Sequence, residues 1–215
     1  MSEIAPVLDE AALLERVGAP EGEGREVVDA ATREPIGRAP VHTVEELDAA
    51  VARAKAAQPA WDALGHEERR ALLNRVADAI DANAEPLARL LSREQGKPLN
   101  GPNARFEVGA CSAWLRTAAA TPLDPEVVVD DGETRAELHY RAIGVVGAIG
   151  PWNWPLMIGI WQIAPALRMG NTVVVKPSGY TTLSVLALIE VMNQVLPHDV
   201  LIGVAGPLTG PNAAF

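Results

Sequence analysis

The chain has 215 residues, 48% of them apolar and 21% charged, with a net charge of −10. That length suits one domain or one and a half, with a sizeable core, and the composition excludes global disorder. The acid excess, with only three lysines (Lys55, Lys97 and Lys176), excludes sequence-independent nucleic-acid binding, which needs clustered basic residues.

Residues 1–24 carry little pattern, and Gly18, Pro20, Gly22 and Gly24 read as a mobile lead-in. Glu26–Ala30 and Pro35–His42 read as a hairpin around Thr32-Arg33-Glu34. Thr43-Val44-Glu45-Glu46 is a capping-box signature, and Val44, Leu47, Val51 and Ala54 continue it as a helix expected to stop before Pro59. Helices are expected over Glu67–Ala82, from Glu85 to a stop at Gly96, and over Pro102–Ala119. The last of these should carry Phe106, Ala110, Ala113, Trp114 and Thr117 on one face. Residues 121–125 read as a linker, and Thr134–Ala142 alternates as a half-buried strand does.

From Gly144 the pattern changes. Val145–Ile149 is apolar on both faces, as a central parallel strand would be. Pro155–Met169 reads as a helix, Thr172–Lys176 as a second buried strand, Thr182–Val195 as a helix and Val200–Val204 as a third strand, with Gly206–Phe215 turn-like. Strand–helix–strand–helix–strand with short turns implies an α/β fold with a right-handed parallel sheet. The apolar runs are broken by Pro, Gly and Asn153, so they read as a buried core and no membrane partner is expected. The N-terminus lacks the basic start of a secretory signal. Cys111 is the single cysteine, so no intrachain disulfide forms and a cytoplasmic location is expected.

In open parallel sheets ligands sit outside the carboxyl ends of the strands. Two such ends are Ile149-Gly150-Pro151-Trp152-Asn153 and Lys176-Pro177-Ser178-Gly179. Gly150 permits close backbone approach, Lys176 offers ammonium donors, and Asn153 offers an uncharged N–H just ahead of a helix. Two readings stand for each polar residue: Asn153 as helix N-cap or as oxyanion donor, Lys176 as solvated strand end or as cofactor ligand. Cys111 lies mid-helix among apolar neighbours and reads as a small buried hydrophobe. The histidines His42, His66, His139 and His198 show no metal spacing, and no metal is expected.

The run Gly144-Val-Val-Gly-Ala-Ile-Gly-Pro-Trp-Asn-Trp-Pro155, followed by Ile163-Ala-Pro-Ala-Leu-Arg-Met-Gly-Asn-Thr-Val-Val-Val-Lys-Pro-Ser178, resembles the aldehyde dehydrogenase superfamily. Pro59-Ala60-Trp61 and Glu94-Gln95-Gly96-Lys97-Pro98 agree in order and spacing, and the likeness spans about Arg25 to Ala205. The resemblance implies a Rossmann-like NAD(P)-binding domain, incomplete over residues 25–215, with residues 125–142 as part of an oligomerisation sheet and a homo-oligomeric parent enzyme. It implies NAD or NADP as cofactor, an aldehyde substrate and oxidation to a carboxylic acid through a cysteine thiohemiacetal. Asn153 would donate to the oxyanion; Ile149, Gly150, Pro151 and Trp152 would line the nicotinamide side; Lys176 would bind the adenosine ribose, with Ser178 in the same turn. Gly179 departs from the family's frequent glutamate, which leaves NAD and NADP undistinguished. The family's Glu-Leu-Gly-Gly and Gly-Gln-x-Cys segments do not occur in the chain, and Cys111 does not match the nucleophile. The expectation is an inactive, truncated product with uncovered apolar faces; the alternative is a non-catalytic nucleotide-binding or assembly module.

Overall fold

A computed structural model describes residues 7–207. In chain order the elements are α1 (Glu10–Val17), β1 (Arg25–Val28), β2 (Pro35–Ala39), α2 (Val44–Ala63), α3 (Gly65–Ala82), α4 (Ala84–Gln95), α5 (Ala104–Ala120), β3 (Glu126–Asp130), β4 (Arg135–Leu138), β5 (Val145–Ile149), α6 (Pro155–Arg168), β6 (Thr172–Lys176), α7 (Thr182–Asn193) and β7 (Leu201–Gly203).

The organising sheet is parallel, in the order β5-β6-β7. Alternate residues of β6 separate its two faces. Val174 meets Ala50 and Ala54 of α2, while Val173 and Val175 join Leu156, Ile160, Ile163, Val185 and Leu186 of α6 and α7. The Thr172 hydroxyl, fully buried, donates to the Ala54 carbonyl at 2.9 Å and ties α2 to the sheet. Helices α3, α4 and α5 form a further layer against α6 and α7, with Leu73, Val76, Ile80, Leu87, Leu91, Val108 and Leu115 fully buried.

Four sequence expectations are corrected. Within residues 1–24, α1 is capped by Asp9, whose carboxylate accepts from the Ala12 amide at 2.8 Å, and Leu13 is buried against the core. Helix α2 runs through Pro59 because that ring is exposed and Lys55, whose carbonyl loses its donor, faces water. Beyond it the buried Trp61 anchors the helix by donating to the Leu167 carbonyl at 3.1 Å. On α5 the buried stripe is Ala104, Glu107, Val108, Cys111, Leu115 and Ala119; Phe106 and Trp114, expected to define the packing face, are about half exposed. Among the described residues β5 lies at an edge, and the central strand buried on both faces is β6.

The capping box at Thr43 and Glu46 forms as read, as does the αL stop of α4 at Gly96. The β1–β2 hairpin turns on Asp29, whose carboxylate accepts from the Ala31 and Thr32 amides. Strand β3 falls just beyond the expected linker and pairs antiparallel with β4 in a two-stranded ribbon whose Val127, Val128 and Val129 are exposed. Most of the turn-like stretch Gly206–Phe215 lies outside the described residues.

Arg69, only 1% exposed, gathers helix ends: its guanidinium donates to the carbonyls of Arg168 (3.2 Å) and Asp62 (2.6 Å) and to His66 Nδ1 (3.0 Å). Burial, and then the charges of Arg69 and Arg168, hold the His66 pKa below its ordinary 6.5. A depressed folded-state pKa gives a contribution that is complete above 6.5 and lost as pH falls through the folded value, because protons then bind the unfolded chain first. The expected outcome is that the melting temperature of wild type drops more steeply below pH 6.5 than that of His66→Gln, which keeps an acceptor but cannot titrate. Parallel circular-dichroism pH series with equal slopes would remove His66 from this role.

Candidate functional site

The carboxyl ends of β5 and β6 lie side by side. Ile149 is level with Lys176, and the Gly150 amide donates to the Lys176 carbonyl at 3.0 Å, so the two turns singled out in the sequence share one edge. A Cβ on Gly150 would meet nothing nearer than that carbonyl, at 3.9 Å. Among the described residues nothing therefore requires glycine there. On the free side of β5 the Gln162 amide closes the last rung: its Oε1 accepts from the Ile149 N–H and its Nε2 donates to the Ile149 carbonyl, both at 3.0 Å.

The first turn leads into α6 through Pro155 at its first helical position, where a missing N–H costs nothing. The N-cap residue is Trp154, without a side-chain cap, so Asn153 is not the cap. The capping acceptor comes from α5. Glu107, fully buried, accepts through Oε1 from the amides of Leu156 (2.8 Å) and Met157 (3.2 Å), and through Oε2 from Lys97 Nζ. Lys97 also donates to the Asn153 carbonyl at 3.0 Å and stands 4.3 Å from the Trp154 ring centroid, a cation–π distance. Gln95 Nε2 donates to the carbonyls of Trp152 (2.7 Å) and Asn153 (2.8 Å). The backbone of the turn is thus held from below by three side chains.

The second turn is treated alike. Ser178 accepts at its hydroxyl from the Tyr180 amide (3.3 Å) and at its carbonyl from the Thr181 amide (3.0 Å), and the Gly179 carbonyl accepts from Arg25. The buried Glu94 carboxylate receives the α7 amides of Leu183 (2.9 Å) and Ser184 (2.8 Å) and the Ser184 hydroxyl (2.6 Å). Burial pushes the Glu94 pKa up against these hydrogen bonds.

Two polar side chains stand apart. Among the described residues neither the exposed Asn153 amide nor Lys176 Nζ makes a hydrogen bond, and of the buried side-chain atoms nearby Gln95 Oε1 and Thr181 Oγ1 also lack a partner. Ile149 and Trp152 flank them with more than half of their surface exposed. Cys111 is fully buried, its thiol donates to the Glu107 carbonyl at 3.2 Å, and burial pushes its pKa well up. Among the described residues no group of three or more His, Cys, Asp or Glu side chains is placed to hold a metal. Farther along α6, an apolar groove between α5 and α6 is lined by Trp114, Ile160, Trp161 and Ala164, with Trp114 and Trp161 edge to face at 5.5 Å.

Sequence reasoning missed the roles of Gln95, Lys97, Glu94 and Glu107. The signal for Glu107 was present: it shares a helical face with Cys111 and Leu115 at i, i+4 and i+8, and an acid in a buried stripe needs a partner.

A sequence profile described as the aldehyde dehydrogenase family matches residues 18–213. The chain belongs to the aldehyde dehydrogenase family. It is 37% identical over 181 residues to acetaldehyde dehydrogenase 2 of Cupriavidus necator, covering 84% of this chain and 36% of that enzyme. The structure of PnpE from Pseudomonas sp. WBC-3, solved in complex with nicotinamide adenine dinucleotide, superposes with a TM-score of 0.80 at 38% identity, over 89% of this chain and 40% of PnpE. NADP-dependent glyceraldehyde-3-phosphate dehydrogenase from Bacillus halodurans C-125, solved with NADP, gives a TM-score of 0.80 at 30% identity, over 88% and 41%. The chain therefore has part of the aldehyde dehydrogenase fold and spans under half the length of these relatives, and solved members of the family carry NAD or NADP.

For this aldehyde dehydrogenase chain, Glu107→Ala is expected to destabilise by about 3–5 kcal/mol, because it strands Lys97 and uncaps α6. Glu107→Gln, which keeps an acceptor for the helix amides, should cost less. Urea unfolding checks both, and an alanine variant with the wild-type midpoint would show that the pair bears no load.

Proposed function

We propose that this chain supplies the cofactor side and the oxyanion donor of an NAD(P)-dependent aldehyde-oxidising site. The observation that carries the reading is the pair of unpartnered donors, Asn153 and Lys176, set beside open Gly150 at the carboxyl ends of adjacent parallel strands. In this reading Ile149, Gly150, Pro151 and Trp152 line the nicotinamide and its ribose, Lys176 donates to the adenosine ribose, and Ser178 and Gly179 shape the turn beneath it. Gly179 brings no carboxylate against a 2′-phosphate, so NAD and NADP are both accommodated.

The parent reaction converts an aldehyde to a carboxylic acid through a thiohemiacetal on a cysteine. The bound nicotinamide supplies the acceptor for the hydride. The Asn153 amide donates to the oxygen that gains negative charge when thiolate adds to the carbonyl, and an uncharged donor does so without titrating. The apolar wall of Trp154, Met157 and Trp161 excludes water from the aldehyde's side chain. The thiolate does not come from Cys111, whose burial and raised pKa keep it a neutral thiol without access to solvent. These 215 residues alone are therefore proposed to be inactive towards aldehydes.

In the same reading residues 25–215 form part of a cofactor-binding unit, with α1 packed on α7 and residues 125–142 serving as part of an assembly sheet. The exposed Val127, Val128 and Val129 on β3 favour that last assignment, and with it a homo-oligomeric parent. The lone buried thiol accords with a cytoplasmic setting.

Calorimetric titration with NAD and NADP should show binding that weakens about tenfold in Lys176→Ala, the effect of losing one charge-assisted hydrogen bond. Mixing the chain with acetaldehyde and either cofactor should give no reduced nicotinamide. Absence of binding would refute the cofactor assignment, and turnover above a heat-denatured control would refute the inactivity.

A further inference from the structure

Gln95 and Lys97 are absorbed by no step of the reaction, yet both aim donors at one short piece of backbone. Together they place three hydrogen bonds on the carbonyls of Trp152 and Asn153, at 2.7–3.0 Å. Lys97 is not a wandering surface lysine. Its ammonium is ion-paired to a carboxylate with no exposed surface, and that carboxylate is itself fixed by two amides of α6. The Asn153 side chain, by contrast, is exposed and touches no protein hydrogen-bond partner among the described residues. Whatever orients it must act through its own backbone.

We propose that Gln95 and Lys97, with Glu107 as the buried counter-ion, are positioning residues that set the peptide plane at Asn153 and so aim its side-chain amide. Trp154 has backbone angles of −130° and 64°, outside the helical range; its carbonyl accepts the first helical hydrogen bond, from the Ile158 amide at 3.0 Å, but the Trp152 and Asn153 carbonyls before it lie outside the helix ladder. A peptide carbonyl gripped by two donors cannot rotate, and the two dihedrals that remain to carry the amide are those of the Asn153 side chain alone. Without the grip the turn gains backbone freedom and the amide is spread over several positions, which weakens any preorganised contact made from it. The Trp152 carbonyl is held by the same Gln95 nitrogen, so the indole on the proposed nicotinamide side is set by the same device.

The proposal rests on the reading of this turn as the nicotinamide side, and its test has one arm independent of that reading. Two variants are informative. Gln95→Met removes the carbonyl contacts of a half-buried amide without leaving a charge. The double variant Lys97→Met/Glu107→Gln removes both charges together and keeps an acceptor for the α6 amides, so neither leaves a buried unpaired ion. The first arm is nuclear magnetic resonance of the labelled chain. Both variants should raise the mobility of the Asn153 side-chain amide and shift the Trp154 backbone nitrogen, while amides of Ile163 and Ala164 farther along α6 stay in place. The second arm is calorimetry with NAD against adenosine monophosphate, which lacks the nicotinamide half. Affinity for NAD should fall about tenfold, as loss of a strong hydrogen-bonded restraint implies, with that for adenosine monophosphate unchanged. Equal losses for both ligands would mean general destabilisation and overturn the proposal, as would unaltered Asn153 signals. If wild type binds neither ligand, the cofactor reading fails, and the Asn153 signals alone decide for or against the restraint.

Discussion

The ion pair between Lys97 and Glu107 is the contact on which the rest of the site depends. It joins the segment that leaves α4 to the buried face of α5, and from there it reaches the first amides of α6 and the carbonyl of Asn153. A lone charge with no exposure would cost several kcal/mol. Here the carboxylate has a cation on one oxygen and two amides on the other, so its acceptors are used. The electrostatics close locally: the positive end of the α6 dipole meets the acid, and the acid meets the lysine.

The same segment serves the second turn. Glu94, three residues before Lys97, caps α7 as Glu107 caps α6, so both helices that follow strands of the central sheet begin on a buried carboxylate. In many nucleotide-binding folds such helix starts receive phosphate. In this chain the amides of Leu156, Met157, Leu183 and Ser184 are taken by carboxylates, and what faces outward at the strand ends is a set of side-chain donors and apolar surface: Asn153, Lys176, Ile149 and Trp152.

Much of this was legible in the sequence. The apolar runs of β5 and β6, the capping box at Thr43, the αL stop at Gly96 and the adjacency of the two turns all follow from local chemistry and from the rule for parallel strands. What was not legible depended on partners distant in the chain. Helix α2 passes Pro59 with that ring and Lys55 turned to water, and is anchored beyond it where Trp61 finds the Leu167 carbonyl, a partner that no local signal contains. The buried face of α5 was misassigned because its large aromatic residues, Phe106 and Trp114, drew the apolar stripe towards themselves, while the true stripe holds small residues and one acid. Glu94, Gln95 and Lys97 stood out only through family resemblance. Their function lies in hydrogen bonds to residues more than fifty positions away, except for the Lys97–Glu107 pair itself.

The Gln162 amide on the edge of β5 has a consequence for how the sheet can be extended. Hydrogen bonding along that edge is available to a neighbouring strand up to the rung at Ile149, where both backbone groups are taken by a side chain of the following helix. Any strand added there must end or diverge before the mouth of the site. The sheet is therefore open to lateral growth over its lower part and shut at its rim, which keeps an incoming chain from roofing over Gly150 and Asn153.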